Sequence, residues 1–106
     1  MARKDIKILS QEEIQEKLKK IPGWEYKDNK ISKEFKFKEF LDVLAFLVKI
    51  APFFEKNDHH PDMHIYYSKV LFELTRWDAD GKVTDMDFTT AKEIDRVFKE
   101  FEKMSK

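Results

Sequence analysis

Hydrophobic and polar positions along the chain change period repeatedly, and each change marks an element. Ser10-Gln11-Glu12-Glu13 has the form of a capping box, in which serine and the third residue after it satisfy each other's exposed backbone donors. Ile14 and Leu18, four apart, give the short helix one apolar edge, and Pro22-Gly23 stops it. Trp24-Glu25-Tyr26 and Ile31 to Phe37 alternate at period two, as half-buried strands do, with Lys27-Asp28-Asn29-Lys30 as the hairpin loop. From Lys38 to about Asn57 the period lengthens. Phe40, Leu44, Leu47, Ala51 and Phe54 recur at spacings of four, three, four and three, which predicts a core stripe on one helical face. Asp42, Lys49 and Lys56 mark a polar face. Pro52 removes one hydrogen bond and clashes with the preceding turn, so the pattern predicts a kink near Val48–Pro52, or a break with Pro52 opening a second helix.

Alternation then returns. Met63, Ile65 and Tyr67 interleave with His64 and Tyr66, Ser68-Lys69 offers a tight connection, and Val70, Phe72 and Leu74 complete a second hairpin. Asp80-Gly81 predicts a turn in a loop that runs on to Asp87. Thr90-Ala91-Lys92-Glu93 is a further capping-box match, opening a helix with Ile94, Val97, Phe98, Phe101 and Met104 on one stripe. The order α-β-β-α-β-β-α predicts an α+β fold, a four-stranded antiparallel sheet with helices packed on one face. With no internal repeat or linker, residues 1–106 are expected to form a single domain.

Composition narrows the function classes. Ten Phe, two Trp and three Tyr beside only two Gly indicate a packed interior. Acids and bases balance at 21 each, which argues against a dedicated nucleic-acid binder. Period-two alternation explains the Lys/Phe interleaving of Ile31 to Phe37 without invoking a nucleic-acid stripe. The longest apolar run, Val43 to Val48, is too short to cross a bilayer, and no apolar stretch of a secretory signal follows Met1-Ala2-Arg3-Lys4-Asp5. The absence of cysteine excludes disulfides and thiolate chemistry. A cytoplasmic protein that contacts neither membrane nor nucleic acid is the expectation.

The candidate chemistry sits at Glu55-Lys56-Asn57-Asp58-His59-His60-Pro61, where the long helix hands over to the second hairpin. Histidine titrates near neutrality and can act as acid or base. The proline restrains His60 toward an extended conformation, so adjacent imidazoles can approach one ligand from different sides. Glu55 or Asp58 can hold an imidazole tautomer. Pro61 also breaks any helical pairing of His60 with His64, and no cysteine assists, so ligand logic argues against zinc. His64 is expected on an exposed strand and Trp24 in the core.

Glu55, His59-His60-Pro61, Tyr67, Trp77 and Asp87, at these intervals, resemble the motif of the pterin-4a-carbinolamine dehydratases. Leu9-Ser10, Glu13-Ile14, Leu18 and Ile21-Pro22-Gly23-Trp24 look like that family's opening helix and turn, and Phe35-Lys36-Phe37-Lys38-Glu39-Phe40 like its entry to the long helix. The likeness runs from about Leu9 to Phe98. It implies the α-β-β-α-β-β-α fold, a homodimer or homotetramer, no metal and no organic cofactor. The implied reaction is loss of water from a 4a-hydroxytetrahydropterin to give a quinonoid dihydropterin, which regenerates the cofactor of aromatic amino-acid hydroxylation. His59 is then the leading candidate for proton transfer to or from the hydroxyl and His60 for binding and orienting the pterin, with both counted as catalytic and the division of labour between them open. Glu55, Asp58, Pro61, Arg76, Asp78 and Asp87 complete the implied substrate-binding set. Trp77 is a catalytic-site position where the best-known members carry a third histidine; an indole stacks on a pterin and donates one hydrogen bond but exchanges no proton. That change leaves a second reading, a dehydratase-like pterin-binding or assembly protein with weak or no activity. Some animal relatives also partner a homeodomain transcription factor, and nothing in this sequence extends that role here.

Overall fold

The computed structural model describes residues 7–76 and 81–104. In chain order the elements are α1 (Gln11–Leu18), β1 (Glu25–Lys27), β2 (Lys30–Lys36), α2 (Phe40–Lys56), β3 (Asp62–Tyr66), β4 (Lys69–Leu74) and α3 (Asp85–Met104). The strands form one antiparallel sheet in the order β1-β2-β4-β3. This is the expected α+β arrangement. The Ser10–Glu13 capping box is formed in both directions. Asp28 and Asn29, both at positive φ, make the two-residue turn between β1 and β2, a conformation these short polar side chains tolerate and one whose twist matches the flanking strands.

Alternation sorts the sheet's faces. Ile31 and Phe35 of β2 and Val70, Phe72 and Leu74 of β4 are buried against the helices. Ser32, Glu34, Glu73 and Lys69 take the opposite side. α2 contributes Val43, Phe46, Ile50 and Phe54 to the core, and α3 contributes Phe88, Ala91, Ile94 and Val97. Phe46 meets Phe72 and Phe98 edge-on, with ring centres 6.2 and 5.8 Å away, the arrangement that aligns each ring's positive edge with its neighbour's negative face. At the far end of the sheet Asp95 of α3 accepts hydrogen bonds from the Trp24 indole (3.0 Å) and the Lys33 ammonium (2.9 Å). Those bonds tie the turn after α1 to α3.

Several expectations need correcting. The buried face of α2 is Val43-Phe46-Ile50-Phe54, whereas Phe40, Leu44 and Ala51 are exposed and only Phe54 of the expected stripe is fully buried. The helix is apolar nearly all round, so two faces satisfy helical spacing and periodicity alone cannot choose between them. Pro52 does not break α2, which is continuous over 17 residues. The carbonyl it leaves without an amide partner belongs to Val48, which is 74% exposed, so water can satisfy it. α3 begins at Asp85 rather than at Thr90, and Thr90 is buried within it. Met63 and Ile65 share a face with Phe72 and Val70 but remain exposed, because β3 lies at the edge of the sheet.

Candidate functional site

The corner is made by the way α2 ends. Asn57 is the C-cap, and Asp58 follows at φ 49°, in the left-handed region. The amide of Asp58 donates to the Glu55 carbonyl (3.2 Å) and that of His59 to the Phe54 carbonyl (3.0 Å). These two bonds define a Schellman motif, which satisfies the helix's last carbonyls and turns the chain sharply. His59 occupies the position that packs back on Phe54, and both side chains are buried. His60, one residue further, points out and its side chain is 57% exposed. Pro61, also buried, leads into β3.

The two imidazoles have different partners. His59 Nε2 lies 2.5 Å from Oδ1 of Asp87, whose side chain is fully buried. An ionised carboxylate only accepts, so Nε2 carries the proton and the ring's tautomer is fixed. The other oxygen of Asp87 accepts from the Thr84 amide (2.7 Å) and the Thr84 hydroxyl (3.2 Å). Asp87 lies in the first turn of α3, where the helix dipole and unpaired amides favour negative charge. One carboxylate thus caps α3 and anchors His59. His60 Nε2 lies 2.7 Å from Oε1 of Glu55, in the last turn of α2. With its Nε2 proton directed to Glu55, His60 keeps Nδ1 for exchange with a ligand.

Arg76 follows β4 and is 3% exposed. Its guanidinium donates to the Asp58 carbonyl at 3.1 Å, and its carbonyl accepts from the Gly81 amide at 2.9 Å. It therefore holds the peptide immediately before His59, and acts on the corner from beneath.

The residues expected from sequence fall into three groups. Glu55, Asp58 and His60 are exposed at the corner; His59, Pro61, Arg76 and Asp87 are buried beneath it. Trp77 and Asp78 lie outside the described residues, as does Asp80. Tyr67 stands at positive φ in the β3–β4 turn and is 84% exposed. His64 is on β3, exposed, 2.8 Å from Glu73. Among the described residues no three His, Cys, Asp or Glu side chains are arranged to hold a metal ion. Sequence reasoning missed Thr84. Thr84-Asp85-Met86-Asp87 has capping-box spacing with aspartate as the acid, a signal that would have placed both the start of α3 and the anchor of His59.

Comparison with known proteins finds relatives of this chain. The family model described as pterin 4 alpha carbinolamine dehydratase matches residues 7–97. A Sulfurisphaera tokodaii protein is 45% identical over 92 residues, covering 87% of this chain and 98% of its own. One from Sulfolobus acidocaldarius is 43% identical over 89 residues, covering 84% and 97%. Both carry the provisional name pterin-4-alpha-carbinolamine dehydratase. The crystal structure of a transcriptional coactivator/pterin dehydratase from Brucella melitensis superposes with a TM-score of 0.79 at 30% identity, over 85% of this chain and 97% of that one. A pterin dehydratase-like RuBisCO assembly factor of the alpha-carboxysome shares the fold at a TM-score of 0.56 and 20% identity, over 70% and 84%.

Proposed function

This chain belongs to the pterin 4 alpha carbinolamine dehydratase family, and from that premise we propose that it dehydrates a 4a-hydroxytetrahydropterin to the quinonoid dihydropterin. The observation that carries this reading is the different treatment of the paired histidines. His59 is buried and fixed by Asp87, while His60 is exposed and oriented by Glu55. In this reading His60 is the group that exchanges protons and His59 is a positioning residue, whereas the resemblance made His59 the leading candidate and kept the division open.

The reaction breaks the C4a–O bond and balances in protons. Protonated His60 delivers its Nδ1 proton to the leaving hydroxyl, which departs as water. The neutral imidazole then takes the proton from N5 as the C4a–N5 double bond forms, and so returns to its starting state. Positioned proton transfer of this kind contributes about 10²–10⁴-fold. Glu55 stabilises the imidazolium through the 2.7 Å contact. Asp58 meets the polar edge of the pterin, and the Trp77 indole, as the family motif implies, stacks on its ring. Arg76 and Asp87 serve the site from below by holding the corner. The reaction draws on no organic cofactor, and it recycles tetrahydropterin in the cytoplasm.

β3 ends the sheet order, and an uncovered edge favours pairing with another chain. α2 turns Leu41, Leu44 and Val48 outward as well. A homodimer or homotetramer covering these surfaces is part of the proposal.

The test follows decay of a synthetic 4a-hydroxytetrahydropterin by absorbance, with and without protein, beside equilibrium binding of a stable reduced pterin. Dehydration well above the buffer rate supports the enzyme. Pterin binding with decay at the buffer rate would replace it with the second reading, a dehydratase-like binding or assembly protein.

A further inference from the structure

A second surface, sharing no residue with the histidine corner, is organised by α3. Lys92, Arg96, Lys99 and Lys103 recur at spacings of four, three and four, and so form one stripe along the helix. Beside it a recess of about 660 Å³ has half-buried Phe37, Phe98 and Phe101 in its lining, with exposed Lys36 and Lys38 on the β2 side. A second recess of about 530 Å³, bounded by Lys20 and Pro22, shares Phe98, Lys99 and Glu102 with the first. The two make one trough, which follows roughly 16 Å of helix at about 1.5 Å per residue.

The trough concentrates charge in a chain that has none overall. Eight of its lining residues are basic and three, Asp42, Asp95 and Glu102, are acidic, whereas the whole chain balances at 21 and 21. Lys33 is engaged by Asp95 at 2.9 Å, and Arg96 by Glu93 and Glu100. The other six, Lys20, Lys36, Lys38, Lys92, Lys99 and Lys103, carry no ion pair among the described residues.

We propose that this trough docks an acidic protein segment. Its carboxylates meet the six lysines, and an apolar side chain seats on Phe37, Phe98 and Phe101. Lysines flanking an aromatic base complement a segment in which carboxylates flank an aliphatic or aromatic anchor. Single-stranded nucleic acid fits less well, because it stacks its bases on open ring faces. Here the rings are half-buried and meet edge to face, Phe37 with Phe98 at 5.3 Å and with Phe101 at 5.8 Å. Asp42, at one wall of the trough, would also oppose a continuous phosphate backbone, while carboxylates spaced along a peptide can avoid it.

The test uses fluorescence anisotropy with the full chain and a labelled acidic peptide of about twelve residues, leucines at helical spacing and glutamates between them. Saturable binding is expected, weakening about tenfold or more when ionic strength rises from about 0.05 to about 0.5 M. Lys99→Glu with Lys103→Glu, on the helix wall, and Lys36→Glu with Lys38→Glu, on the opposite wall, should each lose tenfold or more. Circular dichroism should show both variants folded. A peptide with serine in place of leucine should not bind. The proposal is overturned if the peptide fails to saturate, if the serine peptide or either folded double variant binds as tightly, or if labelled oligothymidylate outcompetes the acidic peptide.

Discussion

At the scale of single residues, Asp87 carries more of the site than its position suggests. It is fully buried, yet it accepts from His59, the Thr84 amide and the Thr84 hydroxyl. Its environment is therefore complete only while all three partners are present. Asp87→Ala leaves an imidazole N–H and a backbone amide buried without acceptors, at a cost of about 2–3 kcal/mol, read as a lowered denaturation midpoint. An unchanged midpoint would show that Asp87 does not anchor the corner. The family resemblance picked out His59, His60 and Asp87 together, but it did not say which imidazole is buried against Asp87 and which is exposed. Which imidazole lies inside depends on the left-handed turn at Asp58 and on where α3 starts, and neither follows from the motif.

Among the elements, α2 shows why periodicity has limits. Ten of its positions carry large aliphatic or aromatic side chains (Phe40, Leu41, Val43, Leu44, Phe46, Leu47, Val48, Ile50, Phe53, Phe54), so the stripe through Phe40, Leu44 and Ala51 and that through Val43, Phe46 and Ile50 satisfy helical spacing alike. The core chose the second. Pro52 is exposed inside the helix, and Pro52→Ala restores an amide to the Val48 carbonyl and removes the ring clash. It should stabilise the fold by about 1–3 kcal/mol in chemical denaturation, and a loss of stability would contradict the account. α1 is held to its neighbours partly by charge. Hydrogen bonding to Lys7, then to the Ser10 backbone, lowers the Glu13 carboxyl from its ordinary value to about 2. Because the folded value is depressed, this stabilisation is complete above the ordinary glutamate range and is lost as pH falls from about 4.5 toward 2. The melting-temperature gap between wild type and Glu13→Gln should accordingly be open at neutral pH and close in acid; a gap that widened in acid would reverse the sign.

For the whole molecule, the α-β-β-α-β-β-α order and the antiparallel sheet could be read from the chain because period-two and helical stretches alternate cleanly between strong turn signals. What covers the edge strand could not, since Met63 and Ile65 have core-like spacing but lie beyond the helices. The proposed assembly makes them, with Leu41 and Val48, interface residues. Light scattering should give a mass of at least two chains, shifting toward one in Leu41→Asp with Val48→Asp; a monomeric wild type would contradict it. The histidine corner and the basic trough share no residue, so a single copy can present both at once.

The claim on which the functional account rests is that His60 moves the protons. The most direct measurement is the dehydration rate of a synthetic 4a-hydroxytetrahydropterin with His60→Ala beside wild type, with melting temperature and pterin affinity followed in parallel. Because His60 is exposed and its side-chain partner among the described residues is the exposed Glu55, the variant should melt within a few degrees of wild type and still bind pterin. Its rate should fall by about 10²–10⁴-fold. A folded, pterin-binding His60→Ala protein that dehydrates the substrate as fast as wild type would contradict the account.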